Sequence, residues 1–410
     1  MAPRSLRKKS KEPPPKRVEV AKSVLLPDRT KLARLERAPD LGPKILFFSG
    51  GTALRETSKK LIRYTHNSTH IITPFDSGGS SAKLREAFNM PAIGDVRNRL
   101  MALSDQDNPG NQAVFELFAH RLPTKEDNSR LKTRLENMAK GNNRLVRAIG
   151  DPMRKIIRTY LYGFLQHMPD DFNLSGASIG NLVLTAGYLE NRRHFDPVIY
   201  LFSKLVNVRG LVRPVINQHM HLAGELEDGR VIVGQHLLTG KAAEPIDSPI
   251  KRVYLTNSLT KPEKVRPPIR AKVRDLIEQA EMICYPIGSF YSSIIANLLP
   301  KGVGAAVAAN PSPKLFIPNT GEDPEALGMT VADQVRRLLE TLREDDPRLR
   351  GQDLLHYVLI DSTNPGYQGG LDAESLEKLG VRVIDCPMTN KKSTPHLDPG
   401  LLVQVLLSLT

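Results

Sequence analysis

The sequence predicts an α/β fold, a doubly wound and mostly parallel sheet with a helical insertion and a small β-rich subdomain. Three observations lead there. First, the apolar run Lys44-Ile45-Leu46-Phe47-Phe48 delivers the turn Ser49-Gly50-Gly51-Thr52 to a helical stretch near 55–66, and a second strand follows at His70-Ile71-Ile72-Thr73. This is the opening of a β-loop-α-β unit. Second, the same alternation returns after residue 268. Third, the stretch between them changes to short alternating runs around the turn Asp228-Gly229, which suits antiparallel strands.

Bulk properties narrow the field. At 410 residues the chain exceeds the usual single-domain size, so one large domain with insertions or two lobes is expected. We expect a basic, disordered arm over 1–40 and an α/β domain over 41–410. A 40% apolar and 25% charged composition is that of a globular protein. The absence of Trp and the 5% aromatic content argue against an aromatic platform for sugars. No run approaches the roughly 18 apolar residues of a membrane span, and Ser23-Val24-Leu25-Leu26 is too short for a signal-peptide core, so a cytoplasmic address is expected. Cys284 and Cys386 are too few and too far apart for a disulfide framework or a zinc site. The net charge of +14 is uneven, with twelve Lys/Arg against four Asp/Glu in residues 1–38. That arm reads either as a solubilising segment or as a contact for an acidic partner or nucleic acid.

Along the chain, residues 112–168 are helical and charged, with Leu131, Leu135, Leu145 and Ile149 among Lys and Arg and breaks at Gly141-Asn142-Asn143 and Asp151-Pro152. They form the expected insertion. Ser175–Leu184 starts another helix from a loop of small residues. The β-rich subdomain is expected over about 205–240, with Val208-Arg209-Gly210, Arg213-Pro214-Val215, His221–Leu226 and Val231–Gly234 as short antiparallel strands. A helix at 268–280, strands at 282–285, 314–318, 357–360 and 381–384, and helices at 330–343 and 399–409 complete the α/β pattern.

Several constellations carry chemistry. In Ser49-Gly50-Gly51-Thr52 the glycines let main chain approach an anion, although a plain tight turn fits as well. The pattern matches neither G-x-G-x-x-G nor G-x-x-x-x-G-K-[ST], which disfavours a nicotinamide dehydrogenase or a P-loop ATPase. Asp76-Ser77-Gly78-Gly79-Ser80-Ser81, with Lys83 and Arg85 nearby, suits a diphosphate and a hydrated Mg²⁺ held by Asp76, or else a capped surface loop. Asp95, Arg97 and Asn98 are close enough in sequence to orient a ligand, or to form an ion pair that fixes their loop. Ser289 and Tyr291 stand at a further loop-to-helix start, where sugar or phosphate contact competes with simple capping. His219, His221 and His236 show no metal spacing.

These segments, in this order, resemble the family that contains the 2-phospho-L-lactate transferase CofD and the YvcK gluconeogenesis-factor proteins. The resemblance rests on S-G-G-T at 49–52, D-S-G-G-S-S-A-K-L-R at 76–85, G-D-V-R-N-R-L-M-A-L-S-D at 94–105, G-N-L at 180–182, G-S-F-Y-S-S-I-I-A-N-L-L at 288–299 and P-H-L-D-P at 395–399. It implies a Rossmann-like fold that binds a nucleotide-diphosphate-linked small molecule, GDP- or UDP-linked. In the transferase branch a hydroxyl acceptor attacks phosphorus and a nucleoside monophosphate leaves. In the other branch the same scaffold binds a UDP-sugar or dinucleotide in regulation. Carried onto this chain, Asp76 holds the metal and Arg97 stabilises transition-state charge. Gly50, Gly51, Thr52, Ser77, Gly78, Gly79, Ser80 and Ser81 hold the diphosphate, and Asp95, Asn98, Gly180, Asn181, Ser289 and Tyr291 orient the ligand. A homodimer is compatible with the family. Phe75 stands where the family has a first aspartate, Ala177 where it has a histidine, and Tyr285-Pro286-Ile287 where it has glycine-proline-glycine.

Overall fold

A computed structural model describes residues 23–105, 109–240, 246–364 and 366–410. Strand β1 (Ile45–Ser49) is buried along its whole length. Leu46 and Phe48 join an apolar core on one face of the sheet, and Ile45 and Phe47 join another on the opposite face. A strand covered on both faces has no polar side to display, which is why its sequence runs unbroken in apolar residues.

The remaining strands are β2 (Thr69–Ile72), β3 (Leu211–Pro214), β4 (His221–Leu226), β5 (Val231–Val233), β6 (Ile250–Thr256), β7 (Met282–Tyr285), β8 (Lys314–Phe316), β9 (Tyr357–Ile360) and β10 (Arg382–Asp385). Seven of them form one sheet in the order β10-β9-β8-β7-β1-β2-β3. Every pairing in it is parallel. The chain therefore builds outward from β1 through β2 to β3, returns to the middle, and builds outward again from β7. The order reverses between β1 and β7, which pair with Ile45 opposite Met282. Loops leaving the carboxyl ends of two such strands diverge and open a crevice.

Helices Pro109–Ala119, Asn128–Lys140, Met153–His167, Ile179–Glu190 and Phe195–Leu205 lie between β2 and β3. They surround a core of their own that meets the sheet through Ile72 and Val212. The expected break at Gly141-Asn142-Asn143 is a turn between helices. Gly141 closes one in the left-handed conformation, and the Asn143 side chain accepts from Leu145 N to start the next. Helical structure continues well beyond residue 168.

Three expectations are corrected. Val208–Val215 was expected as antiparallel strands, yet Leu211–Pro214 is the parallel edge strand of the main sheet, beside β2. Alternation shows that a segment is extended and says nothing about strand direction, and Pro214 is tolerated because it lies on an edge. The small antiparallel sheet has the order β5-β4-β6 and draws its third strand from Ile250–Thr256, beyond the expected segment. Residues 29–37, expected within the basic arm, form a helix. The Asp28 side chain caps it, Leu32 is buried, and the Asp28 N–H donates to Ser408 Oγ on the C-terminal helix Pro399–Leu409 (2.8 Å). Leu32 and the half-buried Leu35 supply an apolar stripe that a charge count overlooks. Residues 1–22 of that arm lie outside the described residues.

Candidate functional site

The loops after β1 and β7 enclose a cleft of about 330 Å³. Its walls include Ser49–Leu54, Asp76, Gly78, Asp95, Asn98, Gln235, His236, Thr239 and Ile287–Ser289, with Ser292 and Ser293.

The β1 loop is shaped from beneath by Arg99. This guanidinium, wholly buried, donates to Leu54 O and Gly50 O (3.0 Å each) and to the hydroxyls of Ser49 and Ser58. Burial pulls its pKa down to about 10, so it stays charged at neutral pH. Gly50 and Gly51 have no room for side chains. A Cβ on Gly50 would overlap Ser293 Oγ, and one on Gly51 would overlap Asp95 Oδ1. Asp95 and Ser293 therefore pack directly against this bare main chain.

The second wall comes from the turn between β2 and the helix Gly79–Phe88. Asp76 Oδ1 accepts from Gly78 N (3.0 Å), which presents the start of that helix to the cleft. Ser77 Oγ lies 2.8 Å from His236 Nδ1 and accepts from His236 N (3.2 Å), so the small antiparallel sheet is tied to this wall. Ser80 and Ser81 are buried behind it, Ser80 accepting from Ser178 N (3.2 Å). Lys83 and Arg85 serve the framework as well. Lys83 donates to Ser175 O (2.7 Å), and Arg85 donates to Phe75 O (2.9 Å) and Asp76 O (3.1 Å).

Helix Gly94–Leu103 contributes Asp95 in its first turn and Asn98 one turn on. Arg97 does not line the cleft; it donates to Ser178 Oγ and to Asn98 Oδ1 (2.7 Å) behind the lining. Burial, and then repulsion from Arg121, lower its pKa to about 10. Gly180 gives this arginine space, because a Cβ there would meet Arg97 Cδ at 2.8 Å. Asn181 is buried beside Gly94, and its Oδ1 has no hydrogen-bond partner.

The third wall, after β7, is held by acids. Gly288, at φ +152°, is clamped by Asn319, which accepts from Gly288 N (2.8 Å) and donates to Gly288 O (2.7 Å). Asp323 accepts from Phe290 N (2.8 Å), and Glu325 accepts from Ser292 N (2.7 Å) and from the Ser292 hydroxyl. These two carboxylates cap the wide helical turn Phe290–Ile295. Burial and then the neighbouring Asp323 push the Glu325 carboxyl well above its usual range. Ser289 lies on the cleft, whereas Tyr291 lies in the core and donates to Ile250 O (3.1 Å).

Of the residues expected from sequence, the fold brings Gly50, Gly51, Thr52, Asp76, Gly78, Asp95, Asn98 and Ser289 onto one cleft. Ser77, Gly79, Ser80, Ser81, Arg97, Gly180, Asn181 and Tyr291 stand behind or beside that lining. Gln235, His236 and Thr239 were not singled out as ligand contacts, and no local signal marks them, since they arrive with the small sheet. Arg99 was not singled out either, although it stands one helical turn after Asp95 in the motif at 94–105. Of the three departures noted above, Phe75 and Ala177 are core residues, and Tyr285 is buried with its hydroxyl donating to Leu354 O (3.2 Å). A larger open groove of about 910 Å³ lies between helices Asn128–Lys140 and Met153–His167, away from every one of these loops.

The 2-phospho-L-lactate transferase CofD family matches residues 45–389. The chain belongs to the CofD family. Among curated relatives, the gluconeogenesis factor of Bacillus subtilis is 31% identical over 380 residues, covering 90% of this chain and 98% of that protein. The gluconeogenesis factor of Halalkalibacterium halodurans is 32% identical over 297 residues, covering 72% of this chain and 73% of its own length. A solved structure of a UPF0052 family protein from Bacillus halodurans is similar with a TM-score of 0.64 at 26% identity, over 89% of this chain and 99% of that one. Within this CofD-family chain, no helix among the described residues is long and apolar enough to cross a membrane. Nor do the described residues hold a group of three or more His, Cys, Asp or Glu side chains placed for a metal.

Proposed function

We propose that the cleft binds a nucleotide-diphosphate-linked small molecule and that the chain acts as a regulatory binding protein of the gluconeogenesis-factor kind. The observation that carries this reading is the meeting of Gly50-Gly51 with the Asp76–Gly79 turn at the β1/β7 reversal. Bare main chain and the start of a ten-residue helix face one small polar cleft there. The names of the relatives support the regulatory part. Asp76 and Asp95 are the cleft's two carboxylates, and this donor set fits Mg²⁺, which takes one or two protein carboxylates and completes its shell with water and phosphate oxygens. When bound, the ion would neutralise diphosphate charge between Asp76, Asp95 and the β1 loop.

Those two carboxylates also favour a second reading, phospho-group transfer of the CofD kind. A hydroxyl acceptor would attack the phosphorus and a nucleoside monophosphate would leave, with Asp76 and Asp95 orienting the charged group. Calorimetric titration with UDP-sugars and GDP-linked compounds, with and without Mg²⁺, tests both. Binding abolished by Gly51→Val and weakened by Asp95→Asn supports the cleft, and steady release of UMP or GMP selects transfer. A protein that binds neither class has a different ligand.

A further inference from the structure

A second polar pocket, of about 490 Å³, lies under the amino ends of β8, β9 and β10, at the edge of the sheet opposite the cleft. Lys314, Gln352, His356 and Arg382 line it. Lys314 is 1% exposed, and its ammonium donates to Asn310 O. That neutral acceptor answers one of three N–H groups, and the charge of Asp353 offsets the cost of burying the ammonium only in part. Burial lowers the pKa of Lys314 to about 8. Asp353 also lines the pocket, yet its two oxygens are taken by Arg350 Nε and Nη2 (2.8 Å each).

His356 adds a donor of defined orientation. Its Nδ1 lies 3.0 Å from Lys314 N, which donates to it, so the neutral ring carries its proton on Nε2. Burial, and then the Lys314 charge, keep the ring neutral at pH 7. Arg382, exposed at the start of β10, donates its main-chain N–H to His356 O (3.0 Å), and its charge acts on the His356 ring. Capping of helix Val303–Ala309 accounts for the Lys314–Asn310 bond. It does not account for an imidazole donor and a guanidinium in the same concavity.

We propose that this pocket is a second anion site, taking inorganic phosphate or the phosphoryl group of a small phosphate ester on Lys314, His356 and Arg382. The site is independent of the cleft and of its proposed ligand. Planar guanidinium, ammonium and N–H donors together match a tetrahedral dianion, whose charge would offset the buried lysine.

The test is titration of inorganic phosphate into the full chain, followed by calorimetry and by the NMR signals of the His356 ring, assigned with His356→Gln. Those signals should move saturably, and the affinity should fall roughly tenfold in Arg382→Gln. That variant alters an exposed side chain and leaves the fold intact, whereas Lys314→Met removes a buried one. Gly51→Val should leave the His356 response unchanged, which separates this site from the cleft. Ring signals that stay still, or that move equally in Arg382→Gln, overturn the proposal. Glucose 6-phosphate binding more tightly than phosphate identifies an ester as the ligand class, and the reverse identifies the free ion.

Discussion

The loops after β1 and β7 face each other across the cleft, and the protein holds them by opposite means. Beneath the β1 loop a buried cation, Arg99, takes the carbonyls of Gly50 and Leu54. Beneath the β7 loop two buried acids, Asp323 and Glu325, take the N–H groups of Phe290 and Ser292. The bonds that shape the first loop consume acceptors, which suits a wall meeting an anion. Those that shape the second consume donors, leaving the hydroxyls of Ser289 and Ser293 on the cleft. Both starts looked alike in sequence, as glycine and serine turns before helices. Only the first is held from beneath by a cation.

The contrast can be broken most severely at Arg99. In Arg99→Met two buried carbonyls lose their donor at about 1–3 kcal/mol each, so chemical denaturation should show a loss of about 3 kcal/mol or more together with loss of cleft binding. A stability close to wild type would mean that the β1 loop holds its shape unaided. Next in size is Gly51→Val, whose side chain meets Asp95. Ligand affinity should fall more than about tenfold while the denaturation midpoint stays near wild type. A variant that binds normally would remove the β1 loop from the site.

Tyr291→Phe deletes one buried hydrogen bond to Ile250 O and should cost about 1 kcal/mol with ligand affinity unchanged. A drop in affinity without a drop in stability would restore the tyrosine to the ligand. At Glu325 the expected effect is on the pH profile of stability and not on ligand affinity. Because its folded pKa is raised, its contribution is fully present below the ordinary carboxylate range and is lost as pH rises through the raised value. Wild-type stability should therefore decline between about pH 4.5 and 7 more steeply than that of Glu325→Gln, measured as denaturation midpoints. Parallel profiles would mean that the acid pair is charged throughout.

Much of the fold was legible. β7 and β9 were placed to the residue, as was the helix Pro399–Leu409, because doubly buried strands and capped amphipathic helices carry their periods in the local chain. Strand direction was not legible at Leu211–Pro214, since extended sequence looks the same whichever way its neighbour runs. Ile250–Thr256 was missed because exposed Lys251 and Arg252 interrupt its apolar run. Asp76, Asp95 and the Gly50–Thr52 turn, singled out from sequence, line the cleft together, because glycine and carboxylate chemistry is local. His236 was passed over as a ligand contact because it is brought to Ser77 across 159 residues.

By itself the sequence determined the alternation of strand and helix, the glycine turn after β1 and the family, since each depends on neighbours along the chain. The tertiary structure decided which motif residues line the cleft and which hold the scaffold. Arg97 turned toward Ser178, Tyr291 sank into the core, and Arg99 moved under the β1 loop. That choice follows from where each buried polar group finds its hydrogen-bond partner, and those partners lie tens to hundreds of residues away.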